Sequence, residues 1–169
     1  MTTDIDSLAL TVVVAMAGRT FATAESLTGG QIGTSITAIP GASKVYRGGV
    51  ISYATEVKES CLRVNADLLA QGGPVQADVA LQMATGVADL MNSDFGLAVT
   101  GVAGPESLDG HLPGTVFVAC IERDESGSVV DSVVEELHLF PEIEDPRLAR
   151  NEIRDETVAA ALELLLTFL

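Results

Sequence analysis

Thr20-Phe-Ala-Thr-Ala-Glu-Ser-Leu-Thr-Gly-Gly-Gln31 places a short apolar strand (20–24), a glycine-containing turn (26–30) and the start of a helix in direct succession. A strand that passes into a helix through a tight turn is a typical unit of α/β proteins. This segment therefore favours an α/β fold.

The remainder of the chain extends this pattern. Hydrophobic spacing predicts elements in the order α β α β α α β β β α. Strands separated by helices pair in parallel with helices on both faces of the sheet, and the late hairpin adds an antiparallel member. We therefore expect an α/β fold with a five-stranded mixed sheet, in a single domain over residues 1–169. The predicted strands are 20–24, 46–53, 95–100, 115–123 and 128–139, and the predicted helices are 5–18, 31–39, 55–64, 66–71, 76–91 and 146–169.

Three details of the helices are predicted as well. Gly18 is expected to end the first helix. Apolar side chains recur at helical spacing in the helices 76–91 and 146–169, which predicts buried faces. The side chains concerned are Val79, Met83, Val87 and Leu90 in the former, and Leu148, Ile153, Val158, Leu162 and Leu165 in the latter.

The bulk composition is that of a globular domain with an acidic surface. Hydrophobic residues make up 47% of the 169 residues and charged residues 20%, which excludes a disordered chain. The formal net charge is −15 at pH 7. Such a surface repels phosphate backbones and anionic lipid headgroups, so we expect neither nucleic acid nor membrane as a partner. An anionic small molecule can bind only through local backbone amides and a few placed cations.

The cysteine and apolar patterns indicate a cytoplasmic protein. Cys61 and Cys120 are too few for a disulfide scaffold and form no Cys-x-x-Cys pair. The first six residues carry acid where a secretory signal needs base, and every apolar run is shorter than the ~18 residues of a membrane span. His111 and His138 lack a His-Glu-x-x-His motif or cysteine partner, so we expect no metal.

Three loops follow predicted parallel strands, at the edge where α/β sheets collect ligands. In the first, Thr28 and Gln31 have capping-box spacing, which makes Thr28 the predicted N-cap. The amides after Ser26 would then point from a positive helix end toward a phosphate or a developing oxyanion. Gly29 and Gly30 would let a ligand approach the backbone closely. A plain strand-to-helix turn is the alternative interpretation.

The second loop leads into the helix that carries Lys58. With Thr55 as the N-cap, Lys58 is the third helical residue, where the helix dipole and any burial lower the pKa of its amine. A lysine of pKa ~7–8 can act as a general base, whereas a solvated lysine near ~10.4 cannot. Pairing with Glu25 or Glu56 would cancel that gain, and a solvated surface position is the alternative.

The third loop begins at Thr100, which offers a hydroxyl at a strand end. Gly101 and Gly104 allow close backbone approach, although a simple turn is the usual explanation of this pattern. No Ser-His-Asp triad is indicated, and neither a Walker loop nor a Gly-x-Gly-x-x-Gly motif occurs.

Taken in order, three segments resemble the CinA C-terminal domain, a bacterial competence/damage-inducible family that includes nicotinamide-nucleotide amidases. The resemblance extends to residues 73–75, 113–116 and 150–154, and so covers nearly the whole chain. It implies a three-layer α/β/α fold, in agreement with the pattern above. The three segments are Thr23-Ala-Glu-Ser-Leu-Thr-Gly-Gly30, Gly49-Val-Ile-Ser-Tyr-Ala-Thr-Glu-Val-Lys58 and Leu97-Ala-Val-Thr-Gly-Val-Ala-Gly-Pro105.

The resemblance implies deamidation of nicotinamide mononucleotide to nicotinate mononucleotide and ammonia, a step in pyridine-nucleotide recycling. Ser26 would be the nucleophile and Lys58 its base. Tyr53 would be a neighbouring hydroxyl partner, and Thr100 would position the dyad or the substrate. Neither a metal nor a cofactor is required. The expected substrate-binding residues lie in the two glycine-containing loops and are Thr28, Gly29, Gly30, Gly101, Ala103 and Gly104.

One departure from the family pattern bears on substrate choice. Relatives have a glycine-rich stretch and Lys-Pro-Val-Gly where this chain has Glu106-Ser-Leu-Asp-Gly-His-Leu-Pro-Gly114, with His111 near the position of the lysine. Two alternatives therefore stay open: a pyridine-nucleotide-binding module without catalysis, and a hydrolase of another small amide. A homo-oligomer, most simply a dimer, is expected from the frequency of self-association among such domains.

Overall fold

The computed structural model describes residues 4–169, so Met1–Thr3 of the expected domain lie outside the described residues. Twelve elements follow one another along these residues. They are α1 (Ile5–Ala15), β1 (Phe21–Glu25), α2 (Gln31–Thr37), a 3₁₀ turn (Ala42–Lys44), β2 (Tyr46–Ile51), α3 (Thr55–Leu62), α4 (Ala66–Gly72), α5 (Ala77–Met91), β3 (Phe95–Gly101), β4 (Thr115–Arg123), β5 (Val129–His138) and α6 (Pro146–Leu166).

The five strands form one mixed sheet in the order β2-β1-β3-β4-β5. β1 pairs in parallel with both β2 and β3, whereas β4 is antiparallel to β3 and to β5. Helices α1, α2 and α6 pack on one face, and α3, α4 and α5 pack on the other. The predicted three-layer α/β/α fold with a five-stranded mixed sheet is thereby confirmed.

Side chains alternate between the two cores along each central strand. In β1, Phe21 packs under α1 and α6, while Ala22 and Ala24 face α5. The face toward α5 uses small residues because the helix lies close to the sheet. A Cβ added at Gly96 of β3 would lie 1.9 Å from the carbonyl oxygen of Ala84 in α5. This close packing holds α5 directly against the central strands.

Two predicted core positions are wrong. Leu90 and Leu148 are each 55% exposed. In the last turn of α5, Met91 rather than Leu90 packs against the core, and the buried face of α6 begins only at Ile153. Both errors lie in a terminal turn, where helical spacing continues but the neighbouring layer does not cover it.

Two helix ends also differ from prediction. α1 ends at Ala15, three residues before Gly18, and Met16 is its C-cap. Gly18 lies in the following turn at φ 87°. α6 ends at Leu166 rather than at residue 169. The other predicted boundaries agree within two residues, although the short 3₁₀ turn was not predicted.

The sheet has two edges, β2 and β5. The outer strand β5 is exposed over most of its ten residues, including Val129, Val130 and Val133. Carboxylates at Asp131, Glu135 and Glu136 lie among them. Within residues 4–169, no helix combines the length and apolar character needed to cross a membrane.

Candidate active site

A cavity of about 500 Å³ opens at the carboxyl ends of β1 and β3. It collects the side chains from all three loops that the sequence singled out. Of the predicted site residues, the cavity is lined by Ser26, Tyr53, Lys58, Thr100, Gly101, Ala103 and Gly104. Thr28, Gly29 and Gly30 are not among its lining residues.

Ser26 and Lys58 meet inside this cavity. The Nζ atom of Lys58 lies 3.0 Å from the Oγ atom of Ser26 and 2.5 Å from the carbonyl oxygen of Ser52. Lys58 is only 1% exposed, so the alternative of a solvated lysine is wrong. Burial lowers the pKa of Lys58 to about 8, because the charged amine loses its hydration.

The position of Lys58 in α3 differs by one residue from prediction. Ala54, not Thr55, is the N-cap of α3, so Lys58 is the fourth helical residue. Its side chain is buried in this position and donates to the carbonyl of Ser52 in the loop before α3. The cause of its lowered pKa is desolvation by this packing.

No ion pair joins Lys58 to an acidic group within residues 4–169. Glu56 is exposed on the outer face of α3. Glu25 is buried, and its carboxylate accepts hydrogen bonds from other groups. The amine therefore keeps only neutral oxygen partners, as a general base requires.

The Glu25 carboxylate occupies the N-terminus of α2. It accepts hydrogen bonds from the backbone N–H groups of Gly30 (3.0 Å), Ile32 (3.1 Å) and Gly33 (2.9 Å) and from the Thr28 hydroxyl (2.7 Å). The helix end is thus already filled by an anion from within the chain. These amides are not available to a phosphate or an oxyanion.

The predicted capping box is accordingly wrong. Gly30 is the N-cap of α2, at φ 99°, and the Thr28 hydroxyl donates to Glu25 rather than accepting from the helix. Sequence spacing alone favoured Thr28. It could not show that the last residue of β1 folds back over the turn and supplies a stronger acceptor.

Two backbone N–H groups in the turn after Ser26 keep no acceptor in the described part of the chain. They belong to Leu27 and Thr28. Each other N–H from Ser26 to Thr34 donates to an identified oxygen: Val99 O for Ser26, Ser26 O for Gly29, Glu25 for Gly30, Ile32 and Gly33, Thr28 O for Gln31, and Gly30 O for Thr34.

Thr100 and Tyr53 lie in the cavity but do not hydrogen-bond to the dyad. The Thr100 hydroxyl donates to the carbonyl of Pro74 at 2.7 Å, which joins the end of β3 to the loop before α5. Tyr53 is 62% exposed, and its hydroxyl accepts from Arg150 at 3.1 Å. Both therefore form the walls and rim of the cavity.

The sequence reasoning gave no role to two arginines of α6. Arg150 donates to the Gly104 carbonyl and to Tyr53, and so links two loops across the cavity mouth. Arg154 donates to the carbonyls of Leu27 and Thr28, beside the nucleophile. Their spacing of four residues, which places both on one helix face, was a usable signal in a chain with nine Lys+Arg.

The loop that departs from the family pattern also reaches the cavity. Glu106 and Asp109 line it, whereas His111 does not and instead bridges to Leu108. The cavity lining thus carries two exposed carboxylates as well as the Arg150 cation. No group of three potential metal ligands among His, Cys, Asp and Glu occurs in residues 4–169.

Comparison with known proteins adds to this geometry. The family model of the CinA C-terminal domain matches residues 6–169. A CinA-like protein from a Synechococcus species is 50% identical over 118 residues, which cover 68% of this chain and 28% of the relative. A Desulforamulus reducens protein described as competence-damage inducible is 44% identical over 153 residues, or 90% of this chain and 34% of the relative. The chain spans about a quarter to a third of the length of the curated relatives that it matches.

A solved structure supports the same relationship. The competence/damage inducible protein CihA from Agrobacterium tumefaciens is 33% identical with a TM-score of 0.85, and the match covers 98% of this chain and 95% of that one. The fold and the predicted family are therefore both confirmed. The chain belongs to the CinA C-terminal domain family.

Proposed function

We propose that this domain is an amidohydrolase that converts nicotinamide mononucleotide to nicotinate mononucleotide and ammonia. The observation that carries the proposal is the 3.0 Å approach of the Lys58 amine to the Ser26 hydroxyl, in a buried setting where Lys58 pairs with no carboxylate of residues 4–169. Hydrolysis of an amide needs an activated nucleophile and a base that can return its proton to the leaving group. A lysine with a pKa of about 8 can do both near neutral pH.

The proposed reaction has two halves. In the first, neutral Lys58 takes the proton of Ser26 while Oγ attacks the carboxamide carbon, and the carbonyl oxygen becomes an oxyanion. Lys58 then gives that proton to the nitrogen, the C–N bond breaks and ammonia leaves an ester on Ser26. In the second, Lys58 takes a proton from water, the hydroxide attacks the ester, and Ser26 regains a proton as the carboxylic acid leaves.

Neighbouring groups hold the dyad ready for these steps. The Ser52 carbonyl accepts from Lys58 at 2.5 Å, which leaves the amine lone pair free for the serine proton. Arg150 supplies a cation at the cavity mouth for the phosphate of the substrate. Gly101, Ala103 and Gly104 line the cavity with small residues, beside which a flat ring can lie close.

Ammonia release from nicotinamide mononucleotide tests the proposal, with Ser26→Ala measured beside the wild type. We expect release by the wild type and a loss of about 10³-fold or more in the variant, as for other activated serines. Ser43→Ala, at an exposed serine, is the matched control and should behave as wild type. The wild-type kcat should rise with pH through an apparent pKa near 8, where Lys58 becomes neutral. Equal release by Ser26→Ala would contradict the nucleophile.

A second candidate is a hydrolase of a related amide that carries no phosphate. Glu106 and Asp109 favour it, because their carboxylates repel a phosphate and attract a pyridinium cation. Nicotinamide riboside, which lacks the phosphate, would then be hydrolysed with a higher kcat/KM than the mononucleotide. Binding of either compound without ammonia release would instead indicate a nucleotide-binding module. A homodimer is also proposed, and sedimentation of the purified chain tests it.

A further inference from the structure

Arg154 binds the turn that follows the nucleophile. From α6, its Nε atom donates to the carbonyl of Leu27 at 3.0 Å and its Nη2 atom donates to the carbonyl of Thr28 at 3.1 Å. Its Nη1 atom lies 3.4 Å from the Asn151 side-chain oxygen. No carboxylate pairs with Arg154 within residues 4–169. Its charge is therefore directed at two successive peptide groups of one turn.

Arg154 thus contacts the Leu27–Thr28 and Thr28–Gly29 peptides, and the first of these, like the preceding Ser26–Leu27 peptide, has an N–H group without an acceptor. Leu27 is 4% exposed and Thr28 is fully buried, yet neither N–H has an acceptor in the described residues. Buried backbone donors without acceptors are rare in proteins because they forfeit a hydrogen bond. Two in succession, immediately after a serine in hydrogen-bond contact with a buried lysine, indicate donors reserved for a ligand.

Peptide geometry connects the two observations. In a trans peptide the C=O bond of one residue and the N–H bond of the next residue point in opposite directions. A carbonyl held by a hydrogen bond therefore also fixes the direction of the next residue's N–H. The Ser26 carbonyl accepts from the Gly29 N–H at 3.1 Å, and this hydrogen bond fixes the direction of the Leu27 N–H. The Leu27 carbonyl accepts from Arg154, which sets the Thr28 N–H. One donor is thus oriented by the turn and the other by a side chain from α6.

We propose that Arg154 is a positioning residue that orients the Thr28 N–H group, which together with the Leu27 N–H set by the turn binds the substrate oxyanion. The role rests on the proposed amide hydrolysis. Arg154 acts through the backbone and does not touch the substrate. Its charge also polarises the Leu27–Thr28 peptide, which makes the Thr28 N–H a stronger donor. Because Glu25 already fills the N-terminus of α2, no other amide of this turn is free for the purpose.

The test compares Arg154→Lys with wild type in ammonia release from nicotinamide mononucleotide. Lysine keeps the charge but loses the planar fork that reaches two carbonyls. We expect kcat to fall at least about 10-fold, toward the 10²–10³-fold typical of a lost oxyanion donor. KM should stay within about 2-fold of wild type, because the oxyanion forms only in the transition state. The midpoint of the kcat–pH profile should not move, because Lys58 is unchanged.

Two variants on the same helix serve as comparisons. Arg147→Lys, at an exposed arginine in the first turn of α6, should match wild type. Arg150→Lys should raise KM, since Arg150 lies at the cavity mouth where the substrate binds. The three variants therefore separate orientation of the turn, substrate binding and an unspecific effect on α6.

Chemical rescue distinguishes positioning from a general loss of structure. In Arg154→Ala, added methylguanidinium should restore at least a tenth of the wild-type kcat, while the thermal midpoint of the variant confirms that it is folded. The role of Arg154 would be overturned by an unchanged kcat in Arg154→Lys. It would also be overturned if kcat/KM fell only because KM rose and methylguanidinium gave no rescue. Either result would leave the proposed reaction intact. Absence of ammonia release from the wild type would instead remove the reaction, and this role with it.

Discussion

At position 58, burial strips the hydration shell from an ammonium group, which lowers its pKa from 10.5 to about 8. The unfolded chain then binds more protons than the folded one between pH 8 and 10.5, so this residue makes stability rise with pH across that window. Below pH 8 both states are protonated and the full cost of about 3 kcal/mol acts against folding. At neutral pH the buried Lys58, which is the base of the proposed reaction, thus lowers the free energy of unfolding.

Replacing this lysine should consequently stabilise the protein. Lys58→Met removes the desolvation cost but also the hydrogen bond to the Ser52 carbonyl, worth about 1 kcal/mol. We expect a net gain of about 2 kcal/mol in the free energy of unfolding at pH 7, together with loss of ammonia release. Urea denaturation at pH 7 and pH 10 measures it, and the gain should shrink at the higher pH. Lys44→Met, at an exposed lysine, is the control. A variant less stable than wild type at pH 7 would contradict the cost assigned to burial.

At the scale of elements, the junction of β1 and α2 depends on one carboxylate. Glu25 ends β1, yet its side chain accepts three backbone N–H groups at the start of α2. The strand and the helix are therefore joined by hydrogen bonds as well as by the chain. The Ser26 turn lies between them and is held from both sides.

Glu25→Gln tests this junction. The amide has one oxygen to offer and directs N–H groups toward N–H groups, so we expect a loss of about 2 to 4 kcal/mol in the free energy of unfolding. Glu56→Gln, in the exposed first turn of α3, should change it by less than about 0.5 kcal/mol. Chemical denaturation of both variants measures the difference. If the two values were equal, the Glu25 carboxylate would not hold the helix.

Elements were easier to predict than their ends and caps. The period of apolar residues and the strand–helix alternation were sufficient for the layers and strand number, because burial on a sheet or helix face leaves a direct trace in sequence. The predicted burial of Leu90 and Leu148 was wrong because the spacing of apolar residues does not show where the neighbouring layer stops covering the helix. The predicted N-cap role of Thr28 was wrong because the Glu25 side chain folds back over the turn and accepts from the helix amides instead.

The candidate site shows the same division. Ser26, Lys58 and Thr100 were singled out because they lie at or just after the carboxyl ends of strands that share a sheet edge, and their catalytic roles were assigned from the family resemblance. Arg150 and Arg154 were not given roles, since they come from α6, more than a hundred residues after β1 along the chain. Contacts of that kind are set by how α6 lies across the sheet, which local patterns do not contain.

At the scale of the whole molecule, the net charge of −15 opposes the approach of an anionic substrate. Salt screens this repulsion beyond the Debye length, about 10 Å at 0.1 M. We therefore expect kcat/KM for nicotinamide mononucleotide to rise by about 2-fold or more between 10 and 200 mM sodium chloride. Nicotinamide riboside, which is cationic, is the control and should show the opposite trend. A fall in kcat/KM for the mononucleotide would mean that local attraction at Arg150 outweighs the overall field.

The acidic edge strand β5 has a consequence for handling the protein. Asp131, Glu135 and Glu136 lie exposed on this strand, and charges on edge strands commonly disfavour pairing with another copy. At the isoelectric point of 4.2 the molecule carries no net charge, so copies no longer repel one another, while Val129, Val130 and Val133 stay exposed. Mild acid would thus allow the edge strands of two molecules to associate, and the protein would precipitate before it unfolds. Purification and crystallisation therefore belong well above that pH.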